Sequence, residues 1–453
     1  MNALTVKLRG NKQIDMTEGH PAGLLAVFAV PIFLGNVFQQ FYNIVDSVIV
    51  GRFVGADALA AVGVSASPYS AFISMSMGLS SGIGIVMSQL FGGRKEDCMK
   101  QTVVNAFFII ICSSIAAGAV GFCTAPGVLR ILGTPDAIFD QALVYMRILF
   151  IGVPGMAVYN CVAGILRALG DSRASLYFLV FSSIINIILD VIFVTMIPLG
   201  VFGVGLATLL GQLFSAIAIF CHARKKYGCF AFGQSDLKPD RTVIKRLLLT
   251  GVPLGLQSTT ICLSATALQG FVNGFGESVI AAQTVIVKFD NILNMPLNSF
   301  SLALSTFTGQ NAGARRKDRI HHGYRAALVI AAVYSLLVFV AGHTCGNAFM
   351  HLFVRNEPEV IAYGIRGIAI YSSAVLSLSM IYINRSVLNG IGDTGFALFN
   401  GVVEIIGRVG FATLFISVLG TGPEGLWYTA IANWTLTGAV CFARYLNRCR
   451  TIL

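Results

Sequence analysis

Four acidic residues lie deep inside otherwise apolar stretches of this chain: Asp46, Asp190, Asp290 and Glu404. The other acids fall in the amino-terminal tail, in loops or near segment ends. A charged side chain at the centre of a bilayer costs about 2.5–3.5 kcal/mol on insertion scales, so it is kept where it has a task. Asn36, Gln39, Asn43 and Asp46 recur at steps of three or four, which sets them on one helix face with Gln40 and Ser47 beside it. Ser182, Asn186 and Asp190 form a second such stripe, and Thr208, Gln212 and Ser215 a third. Ser and Thr in such stripes read as hydrogen-bonding glue between helices. Asp46 and Asp190 read differently, because a neutral amide would bond as well without the risk of ionisation. Two carboxylates facing a partly wet cavity make a cation site. The pair can hold a proton, or take Na⁺ with Asp46 and Asp190 as ligands if Asn186, one turn from Asp190, and the Thr208 hydroxyl complete an oxygen shell of the kind hard cations prefer. The residues themselves leave H⁺ and Na⁺ open.

The second half carries different chemistry. Lys288 and Asp290 are two apart and do not face each other on a regular helix, whereas Glu404 and Arg408 are four apart and pair on one face. Compensated groups of this kind read mainly as structural. Asn291, Asn294 and Asn298 flank Pro296, which is expected to kink its helix. Gln39, Asn43, Gln212, Gln257, Asn291 and Tyr382 are candidates to line a substrate cavity.

The elements that hold these residues are membrane helices. The chain is 56% hydrophobic with 11% charged residues and a mean hydropathy of +0.78, against about 25% charged residues in a soluble domain. About 20 apolar residues cross a bilayer as a helix. Apolar runs such as Val103–Phe122 and Ala326–Ala341 recur along the whole length, so the expected fold is an all-α integral membrane protein with twelve transmembrane helices. The divisions read as a tail at 1–22, a six-helix lobe at 23–222, a linker at 223–246, a second six-helix lobe at 247–445 and a tail at 446–453.

The net charge of +11 follows topology rather than nucleic acid. Basic residues crowd the tails and alternate loops, most densely between Arg224 and Arg246, while the intervening loops hold only Arg52, Arg130 and Arg355. Basic loops mark the cytoplasmic side, which places both termini inside a plasma membrane protein; they can also attract anionic lipid. The first 22 residues lack an apolar core ending in a cleavage site, so no cleaved signal peptide is expected. The ten cysteines show no metal or redox spacing; Cys123 and Cys345, near outer helix ends at matching places in the two halves, leave a disulfide open but read mainly as ordinary buried thiols.

A duplication sets the architecture. At a shift of 221 to 223 residues, Gly55-Ala-Asp57 meets Gly276-Glu-Ser278, Gln89–Arg94 meets Gln310–Arg315, Leu166–Asp171 meets Leu388–Asp393, and Thr208 meets Thr429. Six crossings per copy return the chain to its starting side. The two lobes are therefore expected to be parallel repeats about an axis along the membrane normal, an arrangement typical of transporters. Gly390-Ile391-Gly392-Asp393 has the GxGD form of intramembrane aspartyl proteases, but its last two residues repeat Gly170-Asp171 at a helix end and read as a turn.

With these residues in view, the chain resembles the multidrug and toxin extrusion (MATE) family from about Pro31 to Arg444. The carriers are Gln39–Asp46 through Val50-Gly51-Arg52, Gly55 with Ala60-Ala61-Val62-Gly63, Leu166–Asp171, Asn186–Asp190 and Gly203–Thr208. The resemblance implies a V-shaped, twelve-helix secondary antiporter that expels small organic, often cationic or amphipathic compounds as H⁺ or Na⁺ flows inward. It implies that Asp46 is the first-helix aspartate, and that Asn186, Asp190 and Thr208 form the N-lobe cation cluster of archaeal and DinF-like members. Another branch places essential acids on the seventh and tenth helices. Here those helices carry Gln257-Ser258-Thr259 and Ser372-Ser373-Ala374, so that site does not carry over. The alternative is a flippase for lipid-linked precursors, which needs a strongly cationic cavity. Lys288, Arg385 and Arg408 are few and partly paired for that role. No GxxxxGK[ST] loop is present, so ATP is not expected as the direct energy source; as a carrier of this family type the chain is expected to need no cofactor and to catalyse no reaction.

Overall fold

The computed structural model describes residues 8–9, 13–233 and 236–451. The remainder of the expected tails and linker, including Lys7 and Lys12, lies outside the described residues. A two-residue antiparallel pair, Leu8–Arg9 with Gln13–Ile14, precedes a chain of helices. These are α1 (Pro21–Ile49), α2 (Ala56–Gly92), α3 (Glu96–Ile131), α4 (Asp136–Ala168), α5 (Ser172–Val191), α6 (Gly200–Lys226), α7 (Arg241–Asn273), α8 (Glu277–Gly313), α9 (Lys317–His351), α10 (Pro358–Ser373), α11 (Val375–Gly390), α12 (Gly395–Ala412) and α13 (Glu424–Thr451). Helices α10 and α11 are one span bent by 43° at Ala374, which brings the spans to twelve. Among the described residues nine helices are long and apolar enough to cross a membrane by themselves, and the bent pair makes a tenth. The other two, α8 and α13, fall short because polar residues such as Lys288, Asp290, Asn294, Asn433 and Thr437 interrupt them. Large apolar side chains including Ile115, Leu336, Leu337 and Ile406 point outward, as expected where the solvent is lipid.

The duplication in the sequence is a duplication of turns. Arg94 and Arg315, the described non-glycine residues with positive φ, close equivalent α2–α3 and α8–α9 turns at φ 53° and 58°. Gly170 and Gly392 adopt φ 89° and 91° in the turns that follow α4 and α11. These GD strings are therefore helix-end turns. At Gly170 a second constraint applies: a Cβ would lie 2.2 Å from the Ile14 carbonyl oxygen, because Ile14 N–H donates to Gly170 O at 3.1 Å.

By contact the chain forms two compact units. One is Val30–Leu256 with Val6–Glu18, here the N-unit; the other, the C-unit, takes in Gly19–Ala29 and Gln257–Leu453. The N-unit core gathers Ile83, Met87, Val103, Ile110, Cys161, Val162 and Leu166 from α2, α3 and α4. The start of α7 joins it through backbone contact. A Cβ on Gly78 would fall 2.1 Å from Gly255 N, and one on Gly82 2.4 Å from the Gly251 Cα. The C-unit core is built on Ile286, Met350, Ile368, Trp427 and Trp434, with Trp427 Nε1 donating to Gln283 Oε1 at 3.0 Å. Cys123 and Cys345 are free and exposed, which corrects the expectation that they are buried: both lie on outward faces near helix ends.

Several charged side chains near helix ends and within the C-unit are paired. Asp171 caps α5 by accepting from Ala174 N at 3.0 Å, and it also accepts from Lys226 Nζ at 2.7 Å and the Tyr227 hydroxyl at 2.6 Å. Asp393, its repeat counterpart, is gripped instead by Arg444 and Arg448, each through two nitrogens at 2.8–3.2 Å. In the C-unit, Glu404 accepts from Arg408 Nη2 and Arg385 Nη2, both at 3.3 Å. The expected Glu404–Arg408 pair is present, and Arg385 joins it. Lys288 and Asp290 do not pair: Lys288 lies over the Phe353 ring, and Asp290 accepts from Asn294 Nδ2 at 3.0 Å. Removing one partner of a buried ion pair costs about 3–5 kcal/mol, because the other charge is left uncompensated. Glu404→Ala is expected to lower the thermal unfolding midpoint in detergent sharply, whereas Arg408→Ala, which leaves Arg385 in place, should cost less.

Burial alone would raise the pKa of Asp171, but its bonds from Lys226, Tyr227 and Ala174 outweigh it and hold the carboxyl below the usual carboxylate range. Its folded pKa is thus lower than its unfolded one. The stability it contributes is full above about pH 4 and fades as pH falls through the folded value. Asp171→Asn is expected to destabilise the protein by about 1–3 kcal/mol at neutral pH, with the gap to wild type closing in acid. Thermal unfolding across pH 3–7 in detergent checks the sign (roughly this span follows from the carboxyl titration range).

Candidate functional site

The intramembrane acids of the N-unit meet. Asp46 on α1 and Asp190 on α5 lie within hydrogen-bonding reach of each other. That contact becomes a bond only when one carboxyl carries a proton, because two carboxylates have acceptors and no donor. Left as carboxylates, both oxygens of Asp190 and Oδ1 of Asp46 are buried with nothing donating to them. Asp190 is fully buried.

The neighbours are short of donors too. Asn186, one turn before Asp190 on α5, is 3% exposed, and neither of its amide atoms has a partner. It reaches this depth because α6 presents Gly211: a Cβ there would stand 3.1 Å from Asn186 Cβ. Gln212, next on α6, has an unpartnered Oε1 lying over Gly152 of α4. Thr208 donates to Val204 O at 3.1 Å along its own helix, and its hydroxyl lies close to that of Tyr42. The unpartnered atoms at this place are Asp46 Oδ1, Asp190 Oδ1 and Oδ2, Asn186 Oδ1 and Nδ2, and Gln212 Oε1: five acceptors against one donor. A buried acceptor without a partner costs about 1–3 kcal/mol, more when charged. What the arrangement can do chemically follows directly: it can take up a proton or a small cation that oxygen ligands accept.

The structure brings together Asp46, Asn186, Asp190 and Thr208, with Gln212 at the edge. It does not bring the other expected positions to that place. Gln39 and Asn43 are exposed, and Asn43 Nδ2 donates to Gln40 Oε1 at 3.2 Å on the surface of α1. Gln257, Asn291 and Tyr382 belong to the C-unit. There Asn291 is exposed, Gln257 is 4% exposed with its Nε2 unpartnered, and Tyr382 donates to Asn294 Oδ1 at 2.9 Å. Among the described residues no group of three or more His, Cys, Asp or Glu is placed to hold a metal ion.

Three tyrosines complete the surroundings and were missed from sequence. Tyr42 and Tyr145 lie close enough to both acids to feel their charge, and Tyr69 packs near Tyr145 and Gln212. Tyr42 was legible, since it stands one turn before Asp46 on the same face. Tyr69 and Tyr145 come from α2 and α4, and no local spacing points to them. Beyond each acid the helix loosens: π-helical turns at Val50–Val54 and Ile192–Met196 continue α1 and α5. Such turns recur at functional sites. A third, Thr413–Val418, continues α12 at the repeat position of the second, so the feature is not confined to the acidic pair.

The MatE family model matches residues 31–192 and 253–414, two segments offset by the spacing of the duplication. The chain is 30% identical over 445 residues to a probable multidrug resistance protein of Bacillus subtilis, YpnP, covering 96% of this chain and 97% of the relative. It is 22% identical to the multidrug export protein MepA of Staphylococcus saprophyticus, covering 91% and 88%. Among solved structures it superposes on an outward-facing multidrug resistance MATE transporter with a TM-score of 0.90 at 22% identity, over 98% of this chain and 99% of that one. A Pyrococcus furiosus transporter of the MOP superfamily, described as having a binding pocket of reversed polarity, gives a TM-score of 0.89 over the same shares. By its duplicated family match and its full-length relatives, this chain belongs to the MATE family of membrane transporters.

Proposed function

We propose that this protein is a multidrug efflux antiporter that moves small organic, predominantly cationic compounds out of the cell against an inward flow of H⁺ or Na⁺. The observation that carries the reading is the acceptor-rich cluster around Asp46 and Asp190, buried in a membrane helix bundle with no cation among its own side chains. Relatives named as multidrug resistance and multidrug export proteins support the transport class. In this reading both termini are cytoplasmic, which the charge of the basic loops supports. The absence of a phosphate-binding loop from the sequence favours an ion gradient over ATP.

In this reading Asp46 and Asp190 bind the entering ion together, with Asn186, Thr208 and Tyr42 as the hydrogen-bonding groups that set the carboxyl orientation. Ion binding joins α1 to α5, and ion release leaves two facing carboxylates that repel. Coupling requires only that the ion and the substrate differ in affinity between the two facing states. The flippase alternative draws less support, because Arg385 and Arg408, the guanidiniums inside the C-unit, are engaged with Glu404.

The test is dye efflux from proteoliposomes under a pH gradient and a Na⁺ gradient imposed separately. One gradient is expected to drive accumulation and the other to fail. Asp46→Asn and Asp190→Asn are each expected to insert and fold as wild type yet lose gradient-driven efflux by about 10²-fold or more, as for loss of an essential charged group. Undiminished efflux by well-folded Asp46→Asn protein would remove this mechanism.

A further inference from the structure

The duplication puts the C-unit's own polar cluster where the N-unit keeps its acids, with the chemistry inverted. The α4–α5 turn maps onto the α11–α12 turn at an offset of 222, so Asn186 corresponds to Arg408 and Asp190 to Ala412. The offset of 221 that relates Thr208 to Thr429 relates Gln212 to Asn433, and the same offset relates Asn36 to Gln257 and Asp46 to Ala267. Both acids are alanines in the second copy. Guanidinium groups stand in their neighbourhood: Arg408 at the place of Asn186, and Arg385 on α11 at the place of Ala163.

The unpartnered atoms change sign accordingly. Gln257 Nε2, Arg385 Nε, Asn400 Nδ2 and Asn433 Nδ2 are donors buried with no partner, against one group that only accepts, Asn433 Oδ1; the Thr437 hydroxyl, which can donate or accept, is unpartnered too. Gln257 is 4% exposed, and Asn400, Asn433 and Thr437 are fully buried. They flank one stretch of α12. Asn400 Oδ1 already accepts from Arg385 Nη2 at 2.7 Å, which leaves only its N–H groups to offer. Gln257 of α7 lies across Gly401, and Asn433 of α13 lies on Gly407, each where a Cβ would be 3.3 Å and 2.4 Å away. Thr437 follows one turn after Asn433 on the same face. Two guanidiniums share the single carboxylate of Glu404. Asp290, the other acid that acts on Arg408, is bonded to Asn294 and makes no ion pair among the described residues.

We propose that this seam between α7, α11, α12 and α13 is an anion site, taking a small monovalent anion: chloride, or the carboxylate group of a bound compound. Water would meet these donors with neutral hydrogen bonds. An anion meets them through charge-assisted hydrogen bonds about twice as strong. The two halves then present ligand sites of opposite sign on one duplicated scaffold.

The experiment uses purified full-length protein in halide-free sulfate buffer. It reads ³⁵Cl NMR line broadening on chloride addition, with competition by bromide and by acetate, and the anomalous signal of bromide in crystals. Saturable broadening is expected in wild type. Asn433→Asp, which sets a carboxylate among the donors, is expected to weaken it about tenfold or more, and Asn433→Leu less. Displacement by acetate assigns a carboxylate ligand, whereas displacement by bromide alone assigns a halide. Absence of saturable binding in wild type, a bromide peak elsewhere with only water in the seam, or unchanged binding in Asn433→Asp each overturns the proposal. If Asn433→Asp does not fold, the bromide position in wild type decides it.

Discussion

Two carboxyl groups within bonding reach in a low-dielectric helix bundle cannot both stay ionised without something positive between them. That constraint organises the N-unit of this protein. Asp46 and Asp190 come from helices far apart in sequence, and as carboxylates they leave three of their oxygens buried without donors. The bundle tolerates this because its helices are close-packed. Gly211 lets α6 approach Asn186, Gly152 accommodates Gln212, and the α2–α7 contact runs backbone to backbone through Gly78, Gly82, Gly251 and Gly255. The price of the unsatisfied pair is met by packing elsewhere.

The C-unit handles its intramembrane charge in the opposite way. Its acids are compensated or hydrogen-bonded: Glu404 by two arginines, and Asp290 by Asn294 within a chain that continues to Tyr382. The same helix positions thus carry an acid-rich cluster in one copy and a guanidinium-rich one in the other. Duplication preserves turns and crossings because these depend on backbone conformation, such as the left-handed Arg94 and Arg315 or Gly170 and Gly392. The chemistry inside each copy depends only on which side chains face inward, and it can diverge without disturbing the scaffold.

The helix ends show how this works locally. Asp171 and Asp393 occupy equivalent turns and both are held as carboxylates, yet one is held by Lys226 and Tyr227 and the other by Arg444 and Arg448. The role of the aspartate in ending one helix and tying in a later one is retained while its partners are exchanged. This is why GxGD at residues 390–393 belongs to a turn and not to a catalytic pair.

The sequence by itself determined the class of fold, the twelve crossings and the duplication, because hydropathy, loop charge and repeated turn residues are local properties of a chain facing lipid. It also determined which acids stand in apolar surroundings, and helical spacing was enough to align Asn186 with Asp190 and to imply that Lys288 cannot pair with Asp290. The bend at Ala374 was not legible, because nothing in the apolar run from 358 to 390 marks a break except Ser372 and Ser373, which also occur inside straight helices. Only the tertiary structure decided that Asp46 faces Asp190, that Gln39 and Asn43 point away from them, that Tyr69 and Tyr145 close the site, and that Arg385 joins Glu404. Each of these is a meeting of residues from different helices, set by helix rotation and by how closely glycines let the backbones approach. No period within one helix encodes such a meeting.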